Sequence, residues 1–200
     1  GEREPYGALR DSIARAARSL NAVNIVAAPI DRSQPATVTH VDASVINSTP
    51  SNSTWDLLRQ TAGVEVHQQG QGPGFASDAS LRGFSSDHST DVALWIDGVP
   101  INEPVNGHAE GYSDWSLLFP EAVRSLDVFK GPTSAVYGNF ALAGVVNIRT
   151  LERMNGSTAW ASGGMFGRAE AAVLTGYDRQ GSGGVFGLRG LHEDGWRPNS

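Results

Sequence analysis

Residues 129–138, FKGPTSAVYG, leave the backbone few paths. Pro132 removes a donor and fixes φ, so a strand that runs into Gly131 stops there. Ser134 is placed to cap one turn of helix, SAVYG, and Gly138 permits a left-handed exit. The chain then returns as AGVVNIRT, 143–150. No Gly-Lys-Ser/Thr closes the stretch, which excludes a Walker phosphate loop. Ser134 does not stand in a Gly-x-Ser-x-Gly elbow either. What the residues describe is a structural corner between two strands.

The elements around that corner are short and mixed. Residues 8–20, ALRDSIARAARSL, set Leu9, Ile13, Ala16, Ala17 and Leu20 on one helical face. That face fits a short helix docked on a neighbour or, less naturally for so much alanine, a membrane-surface helix. Residues 24–46 read as extended, with Val38, His40, Ala43 and Val45 alternating imperfectly around Pro29 and Pro35. Ser53 with Asp56 forms a capping box, Gly63 closes that helix, and Trp55, Leu58 and Ala62 line its inner face. VEVH and ASLRGF read as strands, VALWIDGVPI as a hairpin turning at Asp97-Gly98, and Pro120-Glu121-Ala122 as a short helix before the strand RSLDVFKG. Strands and helices without a βαβ rhythm indicate a small α+β domain.

After Thr150 the texture changes. Residues 156–200 hold 11 of the 24 glycines, and the pattern becomes alternation. Arg168, Glu170 and Ala172 fall on one side of a strand, and Ala169, Ala171 and Val173 on the other. In the next strand Phe186 and Leu188 oppose Val185, Gly187 and Arg189. Segments of about ten residues, with one charged and one small or apolar face, mark the strands of a transmembrane β-barrel. The pattern fits a soluble antiparallel sheet equally well.

Composition removes several classes of function. The formal charge of −6, with Lys130 the only lysine, gives no basic stripe for nucleic acid. Without cysteine there is no disulfide, thiol nucleophile or thiolate zinc site. No run approaches the ~18 apolar residues of a membrane-spanning helix, and no signal peptide is present, as in a mature product or a fragment. GQGPG, 70–74, precedes no helix and so aims no dipole at phosphate. His108, Glu110 and Asp114 cluster in HAEGYSD, but no i, i+4 histidine pair supports metal-assisted hydrolysis, and no metal site or cofactor is expected. Serine, histidine and aspartate are all present without a motif that joins them into a triad. The sequons at Asn47, Asn52 and Asn155 receive no function.

Taken in order, DLLRQTAGVEV, ASLRGF, VALWIDGVPI, PEAVRSLDVFKGPTSAVYG and ALAGVVNIRT resemble the plug domain of TonB-dependent outer-membrane receptors. The resemblance covers roughly residues 23–150. It turns the alternation after 150 into the first strands of the barrel around that plug. The implied organisation is an N-terminal periplasmic segment with a short helix at 1–22, a plug at 23–150, and barrel strands at 151–200. The fold class is an α+β plug followed by the start of an antiparallel transmembrane β-barrel. Three strands cannot close a barrel, and an open edge in lipid leaves backbone groups unsatisfied, so a truncated chain is expected. Ser200 follows GWRPN rather than an aromatic-ended strand.

The resemblance implies a receptor and transporter of the bacterial outer membrane, not an enzyme. The plug sits inside a barrel of lipid-facing strands, its N-terminus lies in the periplasm, and no nucleic acid is involved. An extracellular small molecule, a ferric siderophore or similar nutrient, binds outside. The inner-membrane energy transducer TonB then pulls an N-terminal box, and Asn24, Ile25, Val26, Ala27 and Ala28 are the candidate. The plug's structural motifs map to Arg82, Gly83, Asp97, Gly98, Lys130, Gly131, Pro132, Ser134, Tyr137, Gly138, Gly144 and Asn147. Arg82 fits a family arginine that bridges to barrel carboxylates. Lys130 stands where arginine is usual and offers a point charge without the bidentate fork. Phe140 is bulkier than the usual small residue.

The loops 69–77, 84–91 and 102–115 are the outward ones by the same resemblance. Gln69, Gln71, Asp87, His88, Asn106 and His108 offer hydrogen bonds there, and Phe75, Tyr112 and Trp115 offer stacking surfaces. None of these loops holds lysine or arginine, which speaks against a strongly anionic ligand. A signalling or adhesion module without transport, and a periplasmic Ser/His/Asp hydrolase, remain as alternatives.

Overall fold

The computed structural model describes residues 37–49, 51, 53–67, 78–84, 86–116, 118, 120–132 and 135–195, with the backbone alone at Asp87. The expected helix at 8–20, the candidate box at 24–28 and the loop 69–77 lie outside the described residues. In chain order the elements are β1 (Thr37–Asp42), α1 (Ala43–Ser48), α2 (Thr54–Leu58), β2 (Val64–His67), β3 (Asp78–Leu81), β4 (Val92–Ile96), β5 (Val99–Pro100), β6 (Val123–Lys130) and β7 (Gly144–Thr150). Then follow β8 (Gly156–Gly163), β9 (Ala169–Arg179) and β10 (Ser182–His192). Single 3₁₀ turns stand at Asp87–Ser89, Pro120–Ala122 and Ala135–Tyr137.

β7 is the centre of the main sheet. The order is β1-β6-β7-β4-β5, antiparallel throughout except that β4 and β7 run parallel. A strand paired on both edges and covered on both faces is apolar along its length. Val146 and Ile148 accordingly enter the larger core with Leu94, Leu126 and Val128. Val145 enters a smaller one with Ala93, Phe129 and Tyr137. Gly144 has a steric reason to be glycine. A Cβ there would stand 2.2 Å from the Phe129 carbonyl oxygen and 2.6 Å from the Leu81 side chain.

Local chemistry sets the turns. Asp97 and Gly98 take φ of 49° and 82°, the left-handed pair that a two-residue hairpin of right-twisted strands requires. The Asp97 carboxylate accepts from the Thr150 N–H at 2.9 Å and from its hydroxyl at 2.5 Å, which ties the turn to the end of β7. The Asp56 carboxylate accepts from the Ser53 N–H at 3.1 Å and its hydroxyl at 3.3 Å, so the capping box forms. Trp55, Leu57 and Leu58 are buried by that helix, at about 1.5–3 kcal/mol for each large side chain.

Two sequence expectations change. Residues 43–46 are helical rather than extended. The Asp42 carboxylate accepts from the Ser44 N–H at 2.8 Å and the Val45 N–H at 3.2 Å, which starts α1 and turns Ile46 into the core while Val45 stays exposed. Ala62 lies past the end of α2 and is exposed, not on its inner face.

β8, β9 and β10 form a separate antiparallel sheet. The expected alternation is present, with Glu170, Ala172 and Leu174 buried on one face of β9. Tyr177, Phe186 and Leu188 are exposed. Glu170 is engaged within its own sheet, by Arg168 at 3.0 Å and by Arg189. A cavity of about 340 Å³ separates this face from the end of α1 and the turn Pro120–Ala122, with Ile46, Glu121, Trp160 and Glu170 in its lining. There one oxygen of Glu121 is buried without a hydrogen-bond partner, as is the Trp160 indole nitrogen. Burial raises the Glu121 carboxyl above the ordinary range; Arg189 opposes the rise and Glu170 adds to it.

Two outcomes are expected. Gly144→Ala forces β6 and β7 apart and lowers the urea midpoint by the equivalent of about 1–3 kcal/mol, the usual cost of overpacking. An unchanged midpoint contradicts the close approach. For Glu121 the sign follows from its raised pKa. The folded state binds the proton more tightly than the unfolded chain, so its cost is absent at low pH and grows as pH rises to the raised value. Glu121→Gln therefore unfolds at a higher denaturant concentration than the parent at pH 8, by less than ~1 kcal/mol because the group is partly solvated. The difference vanishes near pH 4; equal midpoints at both pH values sink this account.

Candidate functional site

Two loops that meet beside the start of β4, one entering it and one following β5, carry the site. The first, 86–91, is held in a costly conformation. His88 and Ser89 both lie in the left-handed region, at φ of 58° and 56°, where a residue with a Cβ loses roughly 1–2 kcal/mol. Polar contacts from below hold it. The Asp78 carboxylate accepts from the His88 N–H at 2.7 Å, and the Ser89 hydroxyl accepts from the Ala79 N–H at 2.5 Å. Ser86 adds a third, accepting from the Asp91 N–H at 2.9 Å.

The second loop, 102–112, hangs from one buried amide. Asn102 accepts from the Leu94 N–H at 2.7 Å and donates to the carbonyls of Val92 at 3.0 Å and Gly111 at 2.9 Å. The Glu103 N–H donates to the Tyr112 carbonyl and the Gly111 N–H to the Glu103 carbonyl, both at 2.8 Å, which closes the loop on itself. Gly111, at φ of 86°, lies where a Cβ would strike the Phe140 ring at 2.5 Å.

These two loops bring His88, His108 and Tyr112 together. The imidazoles meet edge to face, with ring centroids 4.3 Å apart and planes at 84°. The Tyr112 ring lies 5.7 Å from His88 and 6.1 Å from His108. His88 and Tyr112 are buried, and His108 is exposed above them. The arrangement sets the exposed His108 imidazole above a fixed base in which both ring nitrogens of His88 are buried. Its supports Asp78, Ser89 and Asn102 are absent from the sequence expectations, because no spacing rule marks a polar residue that will bond to backbone far away in the chain.

The other expected residues divide. Asn106 is half-buried and spends its side chain inside the loop, donating to Glu103 at 2.6 Å and accepting from the His108 N–H at 2.8 Å. Trp115 is not a stacking surface for a ligand. It is fully buried, stacked on Trp55 at 4.2 Å, and its indole N–H donates to the Ser113 hydroxyl at 3.1 Å. Gln69, Gln71, Phe75 and the side chain of Asp87 lie outside the described residues. No group of three or more His, Asp or Glu side chains that could hold a metal ion occurs among the described residues.

The structural motif residues serve the body of the domain. Lys130 is buried, and its ammonium donates inward to the Ala62 carbonyl behind α2; among the described residues it makes no ion pair with a wall carboxylate. Arg82 is exposed, with φ of 53° beside Gly83, and donates to the Thr37 hydroxyl at 2.5 Å rather than to a carboxylate. Tyr137 is wedged between Trp95 and Phe129, each 5.6 Å away, and burial raises its phenol pKa. Gly131 and Gly138 take the positive φ that the corner demands, Pro132 is exposed and Asn147 is buried; Ser134 lies outside the described residues.

Comparison with known proteins gives this architecture a family. The model of the TonB-dependent receptor plug domain matches residues 31–145. The vitamin B12 transporter BtuB of Vibrio vulnificus strain CMCP6 is 32% identical over 161 residues, which is 80% of this chain and 25% of that protein. BtuB of strain YJ016 is 34% identical over 122 residues, 61% of this chain and 19% of that protein. The chain thus spans a quarter or less of the length of these curated relatives. Among solved structures, the ferric yersiniabactin uptake receptor FyuA of Yersinia pestis has a TM-score of 0.58 at 23% identity, covering 77% of this chain and 24% of that one. The siderophore receptor PirA of Acinetobacter baumannii has a TM-score of 0.52 at 25% identity, covering 70% and 21%. The fold is a plug followed by strands of the barrel, and the chain belongs to the TonB-dependent receptor plug domain family.

Proposed function

We propose that this chain is the plug, 23–150, and the first wall strands, 151–200, of an outer-membrane receptor that imports an extracellular nutrient. Residues 1–22 precede the plug on the periplasmic side. The ligand docks from outside on the loops that carry His88, His108 and Tyr112, with Asn106 in the second of them, and Asp87, Gln71 and Phe75 are proposed as further ligand contacts. A TonB-type protein of the inner membrane pulls the segment 24–28, the plug rearranges, and the nutrient passes to the periplasm. The exposed side chains Tyr177, Phe186 and Leu188 meet membrane lipid. A ferric siderophore, a cobalamin or a similar small molecule is the cargo, by analogy with the named relatives. The observation that carries this reading is the cluster of two imidazoles and a phenol on two loops, preset by buried polar contacts within a plug fold. Preset loops lower the ordering cost of binding. Neither alternative gains such support: the family is one of receptors and transporters, and no motif assembles a hydrolytic triad.

Two measurements test the proposal. In the full-length receptor, His88→Ala, His108→Ala and Tyr112→Ala each weaken equilibrium binding of the transported nutrient by about 1 kcal/mol, the scale of one lost hydrogen bond. Unchanged affinity in all three moves recognition to the barrel loops. Separately, Ile25→Pro and Val26→Pro abolish uptake while binding persists, because proline removes a donor from an added strand. Normal uptake in both variants removes 24–28 as the box.

A further inference from the structure

Granting that the chain is a receptor plug with its first wall strands, one group at their seam is poorly accommodated. The cavity of about 340 Å³ between them has Asn47 and Ser51 beside α1 on one side, Trp160 and Glu170 of the wall on the other, and Glu121 of the turn Pro120–Ala122 in its lining. One Glu121 oxygen is buried there and meets no hydrogen-bond donor. The Trp160 indole nitrogen lines the same cavity without a partner, so the two groups do not meet each other. Two charged groups act on Glu121 from the wall, Arg189 with attraction and Glu170 with repulsion. Arg189 and Arg168 both engage Glu170, and Arg168 also pairs with Glu193 at 3.0 Å. The helix α1 holds no charged residue, and Arg124, just after the turn, pairs with Glu152 at 3.5 Å. Among the described residues no ion pair joins Glu121 to the wall.

A carboxylate so placed has lost its water and gained no donor. A neutral carboxyl has no charge to desolvate, and its O–H can donate into a lining that carries the side-chain oxygens of Asn47 and Ser51. We infer that Glu121 is a proton-operated latch between plug and wall: with a proton on the carboxyl the seam is closed over it, and with that proton lost to solvent the seam opens enough to admit water. This deepens the proposed receptor function and rests on it. Burial raises the Glu121 pKa, so the closed seam binds the proton more tightly than the open one. The preference for closure is therefore complete below the ordinary carboxylate pKa and is lost as pH rises through the raised value. Acid holds the plug against the wall, and a less acid medium relaxes it.

The test uses full-length receptor in detergent carrying one cysteine, Ser51→Cys, on the cavity lining. The probe is methyl methanethiosulfonate, small and neutral. Its rate is compared with and without Glu121→Gln at the same pH, so that the pH dependence of thiol chemistry cancels. At pH 8 the reporter is expected to react roughly threefold or more faster with Glu121 intact than with Glu121→Gln, which stays neutral. At pH 4.5 the two rates converge. A structural effect of the substitution would change the rate by the same factor at both pH values, and that outcome overturns the inference. So does a ratio of one throughout. Thr90→Cys, half-buried in the loop 86–91, should not respond; an equal response there is general loosening and overturns the latch as well. Asn47→Cys, on the same lining, repeats the measurement if Ser51→Cys fails to fold. These rates need no cargo. A flat ratio in a protein that takes up its nutrient removes the latch and leaves the receptor function standing. Failure of both binding and uptake to respond to the variants proposed above removes the receptor function, whatever the ratio.

Discussion

At Gly144 the backbones of β6 and β7 approach so closely that no side chain fits between the Phe129 carbonyl and Leu81. The two candidate loops depend on that approach. β7 is fixed on β6 by it, β4 is laid parallel on β7 from Val92 against Gly144 to Ile96 against Ile148, and the Ala143 N–H reaches the Asp91 carbonyl at 2.9 Å. The loop 86–91 enters β4 at that point. The loop 102–112 is suspended from the same strand by Asn102, which bonds to Val92 and Leu94. A shift of β4 along β7 would therefore carry both halves of the histidine cluster with it, and a side chain at 144 would set the shift in motion.

The cluster itself is an instance of local strain held by tertiary bonds. Two successive non-glycine residues in the left-handed region cost a few kcal/mol together. Hydrogen bonds each contribute about 0.5–1.5 kcal/mol net, and those to a charged group more. The carboxylate of Asp78 and the hydroxyl of Ser89 are thus of the right size to hold the turn but not to make it rigid against everything. Strain kept in this way belongs at a place whose geometry matters more than its stability. That is the pattern expected where a side chain must be presented before its ligand arrives.

What could be read from the sequence was the chemistry that acts over a few residues. Asp97-Gly98, the Ser53–Asp56 box, the stop at Gly131-Pro132 and the alternation in β9 each declare themselves within their own neighbourhood. The misreadings came where a residue's partner lies far off. Trp115 sits among polar residues in a loop, and only its stacking on Trp55, sixty positions earlier, makes it core. Lys130 looked available to a neighbouring wall, but its ammonium turns to a carbonyl behind α2. Residues 43–46 could serve a strand or a helix, and the Asp42 carboxylate decided for the helix. The meeting of His88 with His108 has no local signal at all, since nothing about a separation of twenty residues implies contact.

The seam between the wall sheet and the plug follows from how each side treats its charges. Both oxygens of Glu170 are engaged by Arg168 and Arg189 of the same sheet, so this buried carboxylate is compensated without help from the plug. Glu121, on the plug side, keeps one buried oxygen that has no hydrogen-bond partner, beside a cavity that the Trp160 side chain, with its unpartnered indole nitrogen, also lines. A carboxylate in that position carries an unrecovered desolvation cost. Parting the two surfaces admits water to Glu121 and cancels that cost, while the ion pairs of Glu170 survive because they do not cross the seam. On these terms the wall cluster holds its own sheet together, and the cost of burying Glu121 falls on the seam.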